Sequence, residues 1–274
     1  MIEIIKAIIL GIIEGITEWL PISSTGHMIL FDEFIKMDVS SNFKEMFFVV
    51  IQLGAILAVP ILFWDKLFPF SPKKTKEENS KTWILWTKVI VGAIPAAILG
   101  LLLDDLLDMY LYNYVVVAIA LVVYGIAFIF VEKIKAEKTY LVEEVEDLSY
   151  LDALKIGAFQ VLSLIPGTSR SGSTILGGMI CGVSRKASAE FSFFMAIPIM
   201  LGASGLKVLK FILEGVDING LELAILAAGI FVSFIVSFFV IKFLMDFVKR
   251  HDFKVFGYYR IILGLIVLAY FLIK

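Results

Sequence analysis

The sequence predicts an all-α polytopic membrane protein, with six full transmembrane helices and two re-entrant helical hairpins arranged as an inverted-topology repeat. Three observations lead there. Hydrophobic residues make up 60% of the 274 positions and the mean hydropathy is +0.95, more apolar surface than a soluble domain of this length can hide. Six stretches reach the length of about 20 apolar residues that a hydrocarbon layer of roughly 30 Å demands of a helix. Finally, three shorter or interrupted apolar segments each abut one of two polar strings, residues 14–27 and 166–174.

Taken in order, residues 1–20 form the first short segment. They lack the basic leader and Ala-x-Ala exit of a signal peptide and run straight into Glu14 and Glu18, so they are expected to be retained. The six spans are 43–64, 82–103, 113–133, 187–213, 220–248 and 255–273; the other short segments are 153–165 and 173–183. Irregular backbone at membrane depth survives only where protein or water satisfies it, which favours hairpins over spans for the interrupted pieces.

Loop charges then orient the spans. Lys66, Lys73, Lys74, Lys76 and Lys81 mark 65–81 as cytoplasmic, as do Lys133, Lys135 and Lys138 for 133–138, and Lys249, Arg250 and Lys254 for 249–254. The loops holding Asp104, Asp105 and Asp108, and Glu214 and Asp217, are nearly free of basic residues and should face outward. All six spans thread through these assignments without conflict.

The pattern reads as a repeat. Residues 1–133 form a hairpin (about 1–36) and three spans, 134–150 a cytoplasmic connector, and 151–274 a second hairpin (about 151–183) with three more spans. Because three is odd, the second half enters from the opposite side and the two hairpins meet near the midplane. Pro21 is placed on Pro166, which sets Ile-Ser-Ser-Thr-Gly beside Gly-Thr-Ser-Arg-Ser.

Composition also excludes. A net charge of −2 with no long basic run argues against nucleic acid, and the single cysteine, Cys181, allows neither a disulfide framework nor a thiolate metal site. The lipid bilayer is the expected environment, and oligomeric state is left open, a homodimer included.

Ionisable groups inside a membrane are costly and default to functional candidates. Glu14 and Glu18, at i and i+4, share a helix face and suit two oxygen ligands of one hard divalent cation, Mg2+ or Ca2+, unless that face merely lines an aqueous vestibule. Ser23, Ser24 and Thr25, ahead of a helix expected to begin after Gly26, can donate to phosphate oxygens or simply cap the helix. His27 can transfer protons near neutral pH. In the second string Arg170 can clamp phosphate or snorkel to headgroups, and Thr168, Ser169, Ser171, Ser173 and Thr174 would supplement it. Arginine, hydroxyls, helix N-termini and a carboxylate pair describe phosphoryl chemistry on a lipid-tailed substrate.

The strings themselves, E-x-x-x-E followed by P-x-S-S-T-G-H (Glu14, Glu18, Pro21 to His27) and P-G-x-S-R-S-G (Pro166 to Gly172), resemble those of the bacitracin-resistance family of undecaprenyl-diphosphate phosphatases. Val50-Ile51-Gln52-Leu53-Gly54 and Glu190-Phe191-Ser192-Phe193 are similar to that family too, so the likeness spans essentially the whole chain. The resemblance implies a plasma-membrane hydrolase that converts undecaprenyl diphosphate to the monophosphate and phosphate, with a divalent cation, at a site open to the outer leaflet. It implies catalytic roles for Glu18, Ser24, His27 and Arg170 and a supporting one for Glu14. Ser24, His27 or water remains open as nucleophile. The soluble-acid-phosphatase-like lipid phosphatases are set aside, because their lysine-led motif and the His and Asp of their last motif are missing. A lipid flippase or anionic-solute carrier is the competing class, since paired broken hairpins also serve transporters.

Overall fold

The computed structural model describes residues 1–71, 74–135, 140–215 and 218–273. Of the loop charges above, Lys73, Lys138 and Asp217 lie outside the described residues, as do the side chains of Asp104, Asp105 and Asp108. The described residues form helices, two short 3-10 turns and one isolated bridge. The helices are α1 (Ile2–Thr17), α2 (Ser24–Phe34), α3 (Ser41–Leu62), α4 (Trp64–Leu67), α5 (Lys76–Leu111), α6 (Tyr114–Lys135), α7 (Tyr150–Val161), α8 (Arg170–Ile180), α9 (Arg185–Leu213), α10 (Gly220–Phe247) and α11 (Lys254–Ile273). Six of them, α3, α5, α6, α9, α10 and α11, are long and apolar enough to cross a membrane, and these are the six stretches the sequence marks. The protein is a multi-pass, all-helical membrane protein.

Boundaries follow capping chemistry. The Thr75 hydroxyl accepts from the Glu78 N–H while the Glu78 carboxylate accepts from the Thr75 N–H, so α5 starts at Lys76, inside the stretch read as a loop. Ser149 with Asp152 and Asn219 with Glu222 start α7 and α10 by the same reciprocal device. At its far end α5 continues to Leu111, so the backbone around Asp104, Asp105 and Asp108 is helical rather than a loop. Leu106 and Leu107 between those aspartates, and Met109 after them, favour the helix once it is nucleated.

Small residues set the packing, as expected where lipid gives apolar helices little reason to prefer one another. Gly157 of α7 faces Gly92 of α5 so closely that a Cβ there would lie 2.1 Å from the Gly92 carbonyl oxygen. Gly54 of α3 meets the Ile230 carbonyl of α10 at the same 2.1 Å. Thus α7 leans on α5, α1 and α3 lean on α10, and α6 lies along α11.

The described part of the connector is docked rather than loose. The Leu141 N–H donates to the Gly182 carbonyl and the Ser184 N–H to the Val142 carbonyl, at 2.8 Å each. Lys186 pairs with Glu144 at 2.6 Å, and Lys66 reaches Glu190 at 2.7 Å and Glu146 at 3.1 Å. Arg185 forks onto the buried Glu132, whose carboxylate also accepts the Phe253 N–H. Burial works against the Lys66 ammonium, but the Glu190 and Glu146 carboxylates outweigh it and hold its pKa above the ordinary lysine value.

Candidate functional site

Two local breaks build the site. After α1 the chain turns at Pro21, and Ser23 caps α2 with φ +74 while its Oγ accepts the Gly26 N–H at 3.2 Å. After α7, Ser169 caps α8 with φ +74 and its Oγ accepts the Gly172 N–H at 3.1 Å. These two serines are the only described non-glycine residues at positive φ, a conformation that costs about 1–3 kcal/mol and is kept only where surroundings enforce it. The two caps share one geometry with Ser23 opposite Ser169, Ser24 opposite Arg170 and Gly26 opposite Gly172, one residue out of the register set by the prolines. The second loop has one more residue between its proline and its capping serine, and the cap, not the proline, fixes the register.

The breaks bring together residues 152 positions apart. Arg170 Nη2 donates to Glu18 Oε1 at 2.8 Å, and the Ser24 hydroxyl donates to Glu18 Oε2 at 2.8 Å. The other guanidinium arm donates to the Ser192 carbonyl at 2.9 Å, and the guanidinium lies 5.5 Å from the Trp19 ring centroid. Ser171 ties the loops further, donating to the Glu18 carbonyl at 3.0 Å.

The remaining candidates divide by where their polar atoms point. Glu14, Ser24 and Thr25 line a cavity of about 430 Å³ between α2 and α3. Ser173 donates to the Ser169 carbonyl, and Thr174 to the Arg170 carbonyl and to Ser192 Oγ, so both hydroxyls stabilise α8 and its contact with α9 instead of facing the cavity. The Gly26 N–H is likewise used by Ser23. Thr168 is buried, with its hydroxyl unpartnered and its carbonyl used. His27 is buried with both ring nitrogens engaged: Nδ1 lies 2.7 Å from the Ser23 carbonyl and Nε2 lies 2.7 Å from the Tyr259 hydroxyl. A carbonyl only accepts, so Nδ1 carries the hydrogen and Nε2 accepts from Tyr259. That arrangement leaves Glu18, not His27, in contact with Ser24.

Sequence reasoning gave no role to Arg260, the most informative residue in α11. It is 0% exposed, and it donates to the carbonyls of Pro21 at 3.0 Å and of Gly167 and Thr168 at 2.9 Å each. One guanidinium therefore grips both loops, without an ion-pair partner among the described residues. An arginine in the middle of an apolar span was the signal available. Gln52 had a family likeness but no role; it lines the cavity with Glu14.

Several buried polar atoms around the loops lack hydrogen-bond partners, among them Glu14 Oε1, Trp19 Nε1, Thr168 Oγ1 and Arg170 Nε. Such orphans are rare in native interiors, where a water, an ion or a ligand meets them. A buried carboxylate oxygen without a donor fits a cation. No group of three His, Cys, Asp or Glu able to hold a metal occurs among the described residues, so the other ligands of such an ion must be amide, water or substrate oxygens.

Comparison with known proteins gives the family. Residues 7–266 match the family model described as bacitracin resistance protein BacA. An undecaprenyl-diphosphatase of Enterococcus faecalis (strain ATCC 700802 / V583) is 58% identical over 267 residues, covering 97% of each chain. The undecaprenyl-diphosphatase of Acetivibrio thermocellus is 58% identical over 272 residues, 99% of each chain, and that of Lactiplantibacillus plantarum is 54% identical over 271 residues, 99% of this chain and 98% of its own. With the match running nearly end to end, the chain belongs to the BacA family of bacitracin resistance proteins.

Proposed function

We propose that the chain is a plasma-membrane phosphatase that hydrolyses undecaprenyl diphosphate to undecaprenyl phosphate and inorganic phosphate, recycling the cell-wall lipid carrier. The observation that carries this is the Glu18 carboxylate, held by Arg170 on one oxygen and receiving the Ser24 hydroxyl on the other. The names of the relatives favour hydrolysis over the carrier reading.

Ser24 is the nucleophile and Glu18 its base. Glu18 Oε2 takes the hydroxyl proton as Ser24 Oγ bonds to the terminal phosphorus; the bond from that phosphorus to the bridging oxygen breaks, and undecaprenyl phosphate leaves. Water then attacks the phosphoserine, Glu18 returns its proton to Ser24 Oγ, and phosphate is released. Arg170 fixes the Glu18 carboxylate and, through its unpartnered Nε and remaining hydrogens, offers positive charge to the phosphate oxygens. Ser23 and Ser169 hold the two helix starts, and His27 with Tyr259 anchors the first. Glu14, with Gln52 beside it and Glu18 one turn away, would hold the divalent cation, whose contribution when bound is to neutralise diphosphate charge.

The same proposal takes 1–133 and 151–274 as inverted repeats joined by 134–150, with α1–α2 and α7–α8 as re-entrant hairpins. Its support is the paired serine caps at φ +74, the two 11-residue helices they start, and the exchange by which α1 rests on α10 while α7 rests on α5. The cavity lies towards the N-terminal end of α3, and Lys66 lies beyond its C-terminal end, so the positive-inside rule supports an opening on the outer leaflet.

Phosphate release from undecaprenyl diphosphate by detergent-solubilised protein, with and without divalent cation, tests the function; a folded protein that releases none overturns it. Trapping a phosphoenzyme tests Ser24, and full turnover by Ser24→Ala would end its role as nucleophile.

A further inference from the structure

The cavity has a chemistry at its mouth that the proposed reaction does not use. Ser24 and Asp32 lie eight residues apart on α2, and Lys44 and Gln52 lie eight apart on α3, all four lining the same space. At a rise of about 1.5 Å per residue, floor and mouth are separated by about 12 Å. The floor carries Glu14, Ser24 and Gln52, the walls Met28 and Phe48, and the mouth Asp32, Lys44 and Glu45. Among the described lining residues there are three acids and a single cation, Lys44.

An inorganic phosphate that leaves the floor by this mouth meets neutral donors such as Thr25, Ser41 and Gln52 among the acids, and they cannot offset its charge. Lys44 can. Its ammonium lies 2.5 and 2.6 Å from the two oxygens of Asp32 and 5.8 Å from the Phe48 ring centroid. The two side chains keep 27% and 32% of their surface exposed. A partly exposed pair of this kind is held only modestly, so a phosphate can compete for the ammonium, whose flexible stem lets it turn from one oxygen ligand to another.

We propose that Lys44 forms an anion-binding site at the cavity mouth, where it exchanges Asp32 for inorganic phosphate leaving the floor. Asp32 is the built-in competitor that keeps the ion from lodging there. The inference rests on the phosphatase reading, which supplies the phosphate, but its test does not need turnover.

Calorimetric titration of the full-length, detergent-solubilised chain with inorganic phosphate, in the absence of lipid substrate, reads floor and mouth together, and paired variants at the mouth isolate its share. K44M should weaken binding about fivefold and D32N should tighten it by a similar factor, the size of one partly exposed charge contact. K44R should keep the wild-type affinity, and K44M/D32N should match K44M alone, because Asp32 acts only through Lys44. An ion pair that merely braces α2 against α3 predicts that K44M and D32N shift binding in the same direction, or not at all, and either result overturns the assignment. Absence of phosphate release from the lipid diphosphate would count against the phosphatase reading alone.

Discussion

Replacing Arg260 with methionine gives the sharpest test of how the two loops are held. Methionine keeps most of the side-chain volume and removes every donor. Three carbonyls, those of Pro21, Gly167 and Thr168, lose their only described side-chain donor in a buried setting. Each orphaned acceptor costs about 1–3 kcal/mol, an upper sum of roughly 9 kcal/mol. Loop relaxation, entry of water and relief from burying an unpaired guanidinium reduce this, leaving about 3 kcal/mol. For a chain of this size that is a fall in Tm of roughly 6–12 °C. Because Glu18 follows one loop's helix and Arg170 follows the other loop, a shift of about 1 Å between them should also lower kcat/KM about a hundredfold. Arg260→Lys, which keeps the charge but cannot span three acceptors, should fall between. Detergent melting curves and phosphate release measure both effects. Wild-type Tm and kcat/KM within twofold in Arg260→Met would refute the clamp.

Other consequences follow from the same contacts. Glu18→Gln strips the base from Ser24 and the counter-charge from Arg170, and should cost a factor of about 10² to 10⁴ in kcat without a matching rise in KM, read from initial rates. Gly157→Ala places a methyl 2.1 Å from the Gly92 carbonyl, so α7 must move off α5; a loss of about 1–3 kcal/mol is expected by thermal melting, and an unchanged Tm would show the contact to be looser than described. The Lys66 junction has a pH signature. Its pKa is raised by Glu190 and Glu146, so its contribution is complete below about pH 10.4 and is lost only as pH climbs through the raised value. Comparing pH–stability curves of the wild type and Lys66→Met checks this, and a difference between them that disappears between pH 6 and 8 would contradict it.

The spans were legible because membrane thickness dictates length: α3, α6, α10 and α11 lie close to the apolar stretches marked from composition. The ends were less so. The start of α5 depends on the capping box at Thr75, and its extension past Asp108 depends on a helix already nucleated, neither of which hydropathy records. Within the site, the string around Glu18, Ser24 and Arg170 announced itself, since charge and hydroxyl are rare in such a chain. Direction was harder to read. Ser171, Ser173 and Thr174 have the composition of anion ligands, yet their hydroxyls go to backbone carbonyls that only the folded loops place within reach. Arg260 was passed over because it sits among Tyr259 and Ile261 with no motif around it, and its partners are peptide groups from two remote segments.

The position of that arginine bears on biosynthesis. The residue that locks both loops belongs to α11, Lys254–Ile273, far along the chain from either of them, so α11 must be synthesised and inserted before the two elbows can be drawn together. A chain cut before residue 254 should therefore insert but lack the clamp, with phosphate release at or below the level of Arg260→Met.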